Sequence, residues 1–243
     1  MEIRCLTEIL EFKQLIQLQR MIWQMSDLEI QPSDTFAIAE KTGGKVFGAF
    51  EGQVMVGFCL GLPAIKENGT NYLHSHMLGV LPEYSNRGIG RALKVAQRRE
   101  AQSRQLQLIE WTFDPLQVKN AFFNLERLGA IVRRCYYNLY GQTSSALDAG
   151  LPTDRCVAEW LLDSSRVKSA VDDGVCPDRS IVDRLDIPLD TQLLRTTDLA
   201  AARKVQQEIM RKLSDYFADG LALVGVERTP HSAKYLIGRI GLE

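Results

Sequence analysis

No long apolar run occurs anywhere in the 243 residues, so no segment offers the roughly 18 consecutive apolar residues of a membrane-spanning helix. The opening MEIRCLTEILEF carries acids where a secretory leader needs an apolar core. A cytoplasmic protein with no membrane partner is the expectation. Charge of one sign is not in excess either: 29 Lys and Arg stand against 30 Asp and Glu, a net charge of −1. That balance removes any global pull toward a polyanion, and no nucleic-acid partner is expected. Cys5, Cys59, Cys135, Cys156 and Cys176 form no CxxC pair and no ligand spacing with His74, His76 or His231. They read as reduced, mostly buried small residues, and no metal is expected. Repeats and low-complexity tracts are absent too, so organisation has to come from periodicity.

What the chain does have is the stretch MLGVLPEYSNRGIGRAL, Met77 to Leu93. It runs from an apolar strand through a proline-bearing turn into a loop with Gly88 and Gly90, then into a helix rich in basic residues. The first N–H groups of such a helix have no carbonyl partner, and the helix dipole favours an anion there. This is a phosphate cradle. A nucleoside-triphosphatase loop would need GxxxxGK and then Ser or Thr, and no such lysine follows. A dinucleotide fingerprint would need a third glycine where Leu93 stands.

Periodicity places strands at Glu2 to Leu6, Lys45 to Phe50, Val54 to Leu62 and Tyr72 to Leu81, with Gly52 turning the first hairpin. Helices are expected after Thr7, which suits a cap, after Pro32, and from Gly88 to Ser103. In the last of these Ile89, Leu93 and Ala96 face a sheet, while Arg91, Lys94, Arg98 and Arg99 form a basic, solvated face. Leu106 to Phe113 reads as a buried parallel strand, Gln117 to Leu128 as a helix stopped by Gly129, and Ile131 to Leu139 and Cys156 to Leu162 as two further strands. Beyond residue 163, a strand at Leu185 to Pro188, a helix at Asp198 to Phe217 and strands at Leu221 to Glu227 and Ala233 to Ile240 form either a small α/β appendage or an extension of the main sheet.

The loop Ser85-Asn86-Arg87-Gly88-Ile89-Gly90 resembles the pyrophosphate motif of the GNAT superfamily of N-acyltransferases, with Ser85 at a position usually Gln or Arg. Ala121, Leu128 and Gly129 fit the spacing of the superfamily's fourth-helix motif, while Val118, Leu125 and Ala130 replace its usual Asn, Tyr and Phe. HSHMLGV, WTFDPLQVKNAFFNLERLGA and GLPTDR together resemble a GNAT branch with a C-terminal extension, associated in some bacteria with N-acylamino-acid metabolism. The resemblance implies an α/β (mixed α+β) fold with a central mixed sheet. It also implies a GNAT domain over residues 1–163 and a C-terminal α/β extension over 164–243.

An acyl-CoA-dependent N-acyltransferase is therefore expected, with acetyl-CoA or another short acyl-CoA such as succinyl-CoA as co-substrate. The acceptor would be a small-molecule amine, such as an amino acid. A homodimer is compatible with this reading, and a non-catalytic CoA-binding module is the alternative. The pyrophosphate would lie over Asn86, Arg87, Gly88, Ile89, Gly90 and Arg91. The pantetheine arm would pair with the backbone of Leu78, Gly79 and Val80, where the resemblance implies that one N–H polarises the thioester carbonyl. Asn120 and Asn124 are candidates for bonding the pantetheine amides. Glu110, a carboxylate in an apolar run whose burial would raise its pKa, and His76, which titrates near neutrality, are the candidate general bases. Asp154 and Arg155 are candidates for the acceptor's amine and carboxylate, against a plain turn lock between the two. With Leu125 at the tyrosine position, the departing thiolate would take its proton from another donor, from water or from none; Tyr136, Tyr137 and Tyr140 are candidates for that donor, against a plain reading as sheet residues. Trp111, Phe113 and Trp160 read as packing residues.

Overall fold

The computed structural model describes residues 1–145, 148–175, 179–189 and 191–240. Cys176 lies outside them. The chain divides into two compact units, Met1–Glu110 with a short stretch from Ser144, and Trp111–Thr143 with the chain from Asp148 onward.

The first unit opens with β1 (Glu2–Cys5) and α1 (Ile9–Trp23). The cap of α1 differs from the sequence expectation. Glu8, not Thr7, is the capping residue, and the Glu11 carboxylate accepts from the backbone N–H of both Thr7 and Glu8. A carboxylate one turn into a helix reaches back to the orphan donors, and that reach outcompetes the short threonine hydroxyl. After α2 (Ser33–Lys41) come β2 (Lys45–Glu51), β3 (Val54–Ile65) and β4 (Asn71–Val80), then α3 (Ile89–Ser103) and β5 (Leu108–Phe113), which ends in the second unit. β1 to β4 are antiparallel neighbours in chain order, and β4 pairs with β5 in parallel.

Seven consecutive residues of β3, Met55 to Gly61, are buried. Such a run replaces the alternation of a half-exposed strand because helices cover both faces. Phe12 and Phe36 stack near Phe58, which also meets Trp23 edge-on. Each fully buried side chain of this size contributes about 1.5–3 kcal/mol relative to exposure.

The second unit holds α4 (Val118–Phe122), which widens into a π-wound turn over Phe123–Arg127, then β6 (Ile131–Tyr136) and β7 (Arg155–Leu161). α5 (Ser165–Lys168), β8 (Ser180–Ile187), α6 (Thr191–Thr197), α7 (Leu199–Ala218), β9 (Ala222–Arg228) and β10 (Ala233–Arg239) follow. The strand order is β7-β6-β9-β10-β8, all antiparallel, with Val132 of β6 opposite Leu223 of β9. The chain after residue 163 therefore extends a sheet through β6 and does not fold as a detached appendage.

Polar locks hold this extension. Arg166 donates to the carbonyls of Leu125, Gly129 and Val224, so one guanidinium satisfies acceptors freed by the π-wound turn as well as a strand carbonyl. Arg179 pairs with Glu126, whose carboxylate also accepts the Val226 N–H at 2.6 Å. Arg195 of α6 pairs with Asp114, both side chains buried, and the Tyr235 hydroxyl donates to the Pro115 carbonyl. Trp160 is fully buried, donates to the Leu128 carbonyl at 2.6 Å and meets Trp111 edge-on at 5.9 Å. Trp111, Phe113 and Trp160 are thus packing residues.

Candidate active site

In the first unit the site grows out of β4. Across the β3–β4 ladder Leu60 faces Met77 and Gly61 faces Ser75, so His76 is an extra residue, a β-bulge. A bulge re-aims the side chain it carries. Here it sets the His76 ring 5.8 Å from that of His74. On its other edge β4 pairs with β5 in parallel, Leu73 opposite Ile109 and His74 opposite Glu110. Ser75 to Val80 carry β4 on to its C-terminal end. Gly79 has no side chain for a steric reason: a Cβ there would sit 2.8 Å from Ile22 Cδ1 and 3.1 Å from Trp23 Cζ2 of α1.

His76 is exposed and His74 half-buried. Partial desolvation holds the His76 imidazole below its usual value of 6.5. His74 is also held down, first by burial, then by the fields of His76 and Lys94, with Glu110 opposing. Both rings are therefore neutral at pH 7, the state of a proton acceptor. Glu110 is 3 % exposed, and Lys66, from the turn between β3 and β4, stands 2.8 Å from its carboxylate. Nothing in the local sequence marks Lys66, because hairpin geometry brings it to Glu110.

From Val80 the chain passes a short 3-10 turn at Pro82–Tyr84 and enters the glycine loop. Asn86 (φ +61°) and Gly88 (φ +80°) both take the left-handed conformation, and Gly88 is the N-terminal cap of α3. Alternating backbone of this kind turns successive N–H groups to one side and builds an anion nest. Asn86, Arg87 and Gly88 are exposed, Gly90 and Arg91 half-buried and Ile89 buried. A Cβ on Gly88 would meet nothing within 4 Å, so its glycine is required by φ and not by space. Arg87 reaches back to Glu51 at the end of β2 and lies over the Tyr84 ring. A carboxylate thus already engages the Arg87 guanidinium.

The expected basic face of α3 is corrected at Lys94 and Arg98, while Arg99 is exposed as expected. Lys94 is 2 % and Arg98 7 % exposed, and Gln97 is fully buried. Lys94, Gln97, Arg98 and Ala101 recur at helical spacing beside Ile89 and Leu93, so the buried stripe is wider than its apolar members show. Burial pushes the Lys94 amine down from 10.5 to about 7.

In the second unit the two asparagines separate. Asn120 is exposed. Asn124 is buried in the π-wound turn, its Oδ1 accepting from Trp111 Nε1 at 3.2 Å, while its Nδ2 has no hydrogen-bond partner among the described residues. Leu125 is fully buried, whereas Tyr136, Tyr137 and Tyr140 are exposed, and the Tyr140 hydroxyl meets Thr112 Oγ1 at 2.8 Å. Asp154 is buried, which raises its pKa although its carboxylate accepts from Asn138 N–H. Arg155 bonds Asp148 Oδ1 at 2.7 Å and the Asp154 carbonyl at 3.0 Å.

Among the described residues no group of three or more His, Cys, Asp or Glu could hold a metal ion, and no helix is long and apolar enough to cross a membrane. A search of curated protein sequences finds no match. Among solved structures the fold is similar to that of smu.2055 from Streptococcus mutans UA159, 17% identical over 67% of this chain and 100% of that one, with a TM-score of 0.56. It is also similar to Arabidopsis thaliana NAA60 in complex with a bisubstrate analogue, at 14% identity, 65% and 96% coverage and a TM-score of 0.53. The ribosomal-protein-S18-alanine N-acetyltransferase from Escherichia coli gives 15%, 68% and 95%, and 0.51. The sequence itself matches the model of the Acetyltransferase (GNAT) family over residues 12–130. The strand, glycine loop and helix described above fall inside that span, and residues 12–130 form a domain of the acetyltransferase (GNAT) family.

Proposed function

We propose that the chain transfers a short acyl group, acetyl in the first instance, from CoA to the primary amine of a small molecule. One observation carries the reading: a left-handed nest at Asn86 and Gly88, which caps α3, follows closely on the C-terminal end of strand β4. A pyrophosphate fits the first and an extended pantetheine arm the second. Asn86, Arg87, Gly88, Ile89, Gly90 and Arg91 would hold the phosphates, mainly through N–H groups of the nest and the first turn of α3. Leu78, Gly79 and Val80 would pair with the arm, and an N–H there would polarise the thioester carbonyl. Of the two asparagines considered for bonding an amide of the arm, Asn120 is exposed and Asn124 buried. We assign residues 1–163 to the acyltransferase domain and 164–243 to its extension.

In the transfer the amine nitrogen attacks the thioester carbon, the C–S bond breaks, and the thiolate takes a proton from water. His76 is our first choice of base, since it is exposed and neutral, and Glu110 with its Lys66 partner the second. Where the acceptor carries a carboxylate, Arg155 would receive it in exchange for Asp148, and Asp154 would face the amine.

Free-thiol release from several acyl-CoAs, against pools of D- and L-amino acids and polyamines, tests the proposal. Turnover on any pool supports it. CoA binding without turnover on any pool would instead favour a binding module, in keeping with buried Leu125 at the family's tyrosine position.

The Glu51 carboxylate competes with phosphate for Arg87. Glu51→Gln is therefore expected to tighten CoA binding by about two- to fivefold at low salt, the scale of an exposed ion pair. The gain should shrink as salt screens it, and calorimetric titration at two ionic strengths reads both effects.

A further inference from the structure

Lys94 is the buried group that acyl transfer, as laid out above, does not use. It extends from α3 beneath β4, where its Nζ donates to Ser75 Oγ at 2.7 Å, with Gln97 Oε1 at 3.5 Å. Space for these polar heads comes from Gly61, the partner of Ser75 across the ladder, since a Cβ on Gly61 would sit 2.9 Å from Gln97 Nε2 and 3.0 Å from Leu73 Cδ2. Ser75 is itself buried and immediately precedes the bulged His76. One long side chain thus reaches from the helix that carries the phosphate nest to the residue beside the bulge.

We propose that Lys94 is a positioning residue of this site, its bond to Ser75 fixing the β4 bulge and so the place of the His76 ring. A bulge leaves one residue out of the ladder, and the strand can relax by shifting it one position along. A donor anchored on a rigid helix and bonded to the adjacent hydroxyl opposes that shift. The arrangement explains a costly choice, since a buried amine is disfavoured over an apolar side chain of similar volume unless its hydrogen bonds do something. This inference rests on the acyl-transfer reading for its kinetic consequence but not for its structural one.

The experiment compares the full chain with Lys94→Met, which keeps the volume and removes the donor, and with Ser75→Ala, which removes only the acceptor. Both should bind CoA and melt within a few degrees of the parent. Their kcat should fall at least about tenfold while KM for acyl-CoA stays within about twofold, the split expected of a misplaced reacting group. The His76 imidazole C2–H resonance should move or broaden in both variants while that of His231 stays fixed. An unchanged His76 resonance, or a loss of activity that merely tracks loss of fold, overturns the proposal. If the parent binds CoA but turns nothing over, acyl transfer fails and the His76 resonance alone still decides the role of Lys94.

Discussion

Replacing His76 with alanine is expected to lower kcat by about 10²- to 10⁴-fold while leaving CoA affinity unchanged, the usual effect of losing a positioned general base. The bulge that places this ring and its accessible edge both favour it over Glu110, whose carboxylate is buried against Lys66. The pH profile adds an independent check. His76 is held below its usual 6.5 by desolvation, so it is a competent base above that range and is protonated as pH falls through its lowered value. The acid limb of kcat should therefore lie below pH 6.5, with activity lost on the acidic side, and His76→Gln should abolish that limb. A His76→Ala variant within about twofold of the parent would instead move the role to Glu110, and Glu110→Gln would then carry the large loss.

Arg195→Met should destabilise the chain by about 3–5 kcal/mol, as expected when one partner of a buried pair is removed and the other is stranded. The stranded group is Asp114, whose second oxygen accepts the Leu116 N–H at 2.8 Å and so holds the turn that leads to α4. Adding Asp114→Asn should recover part of the loss, because an amide costs far less to bury than an unpaired carboxylate. Urea unfolding of the two variants and the parent measures both steps. A single-variant loss under about 1 kcal/mol would show that water reaches the pair. This ion pair ties α6 to the turn between β5 and α4, so the extension braces the helix that carries Asn120 and Asn124.

Local patterns made part of this molecule legible. The glycine loop was readable because a left-handed cap has a residue signature, and Gly88 meets it. The strand positions were readable because alternation and continuous apolar runs follow from which faces are covered. Lys94 and Arg98 were misplaced on a solvated face, since residue type predicts exposure only when no buried partner waits, and Ser75 lies far off in sequence. The bulge at His76 was equally hidden, because it comes from a mismatch between two strands and neither shows it alone. Tertiary pairing likewise decided the π-wound turn, whose carbonyls find Arg166 across the fold. The choice between appendage and extension needed the pairing of Val132 with Leu223, a long-range contact that periodicity does not encode.

That same pairing bears on how the protein is made. β6 gains its neighbour β9 only after the whole chain from Tyr136 to Ala222 has been translated, which at about 5–20 residues per second takes on the order of ten seconds. During that interval the nascent polypeptide presents Ile131 and Val132 on an open strand edge, a template for pairing with other chains. Fast emergence of the chain up to β9, or a chaperone resting on β6, would shorten or cover that exposure.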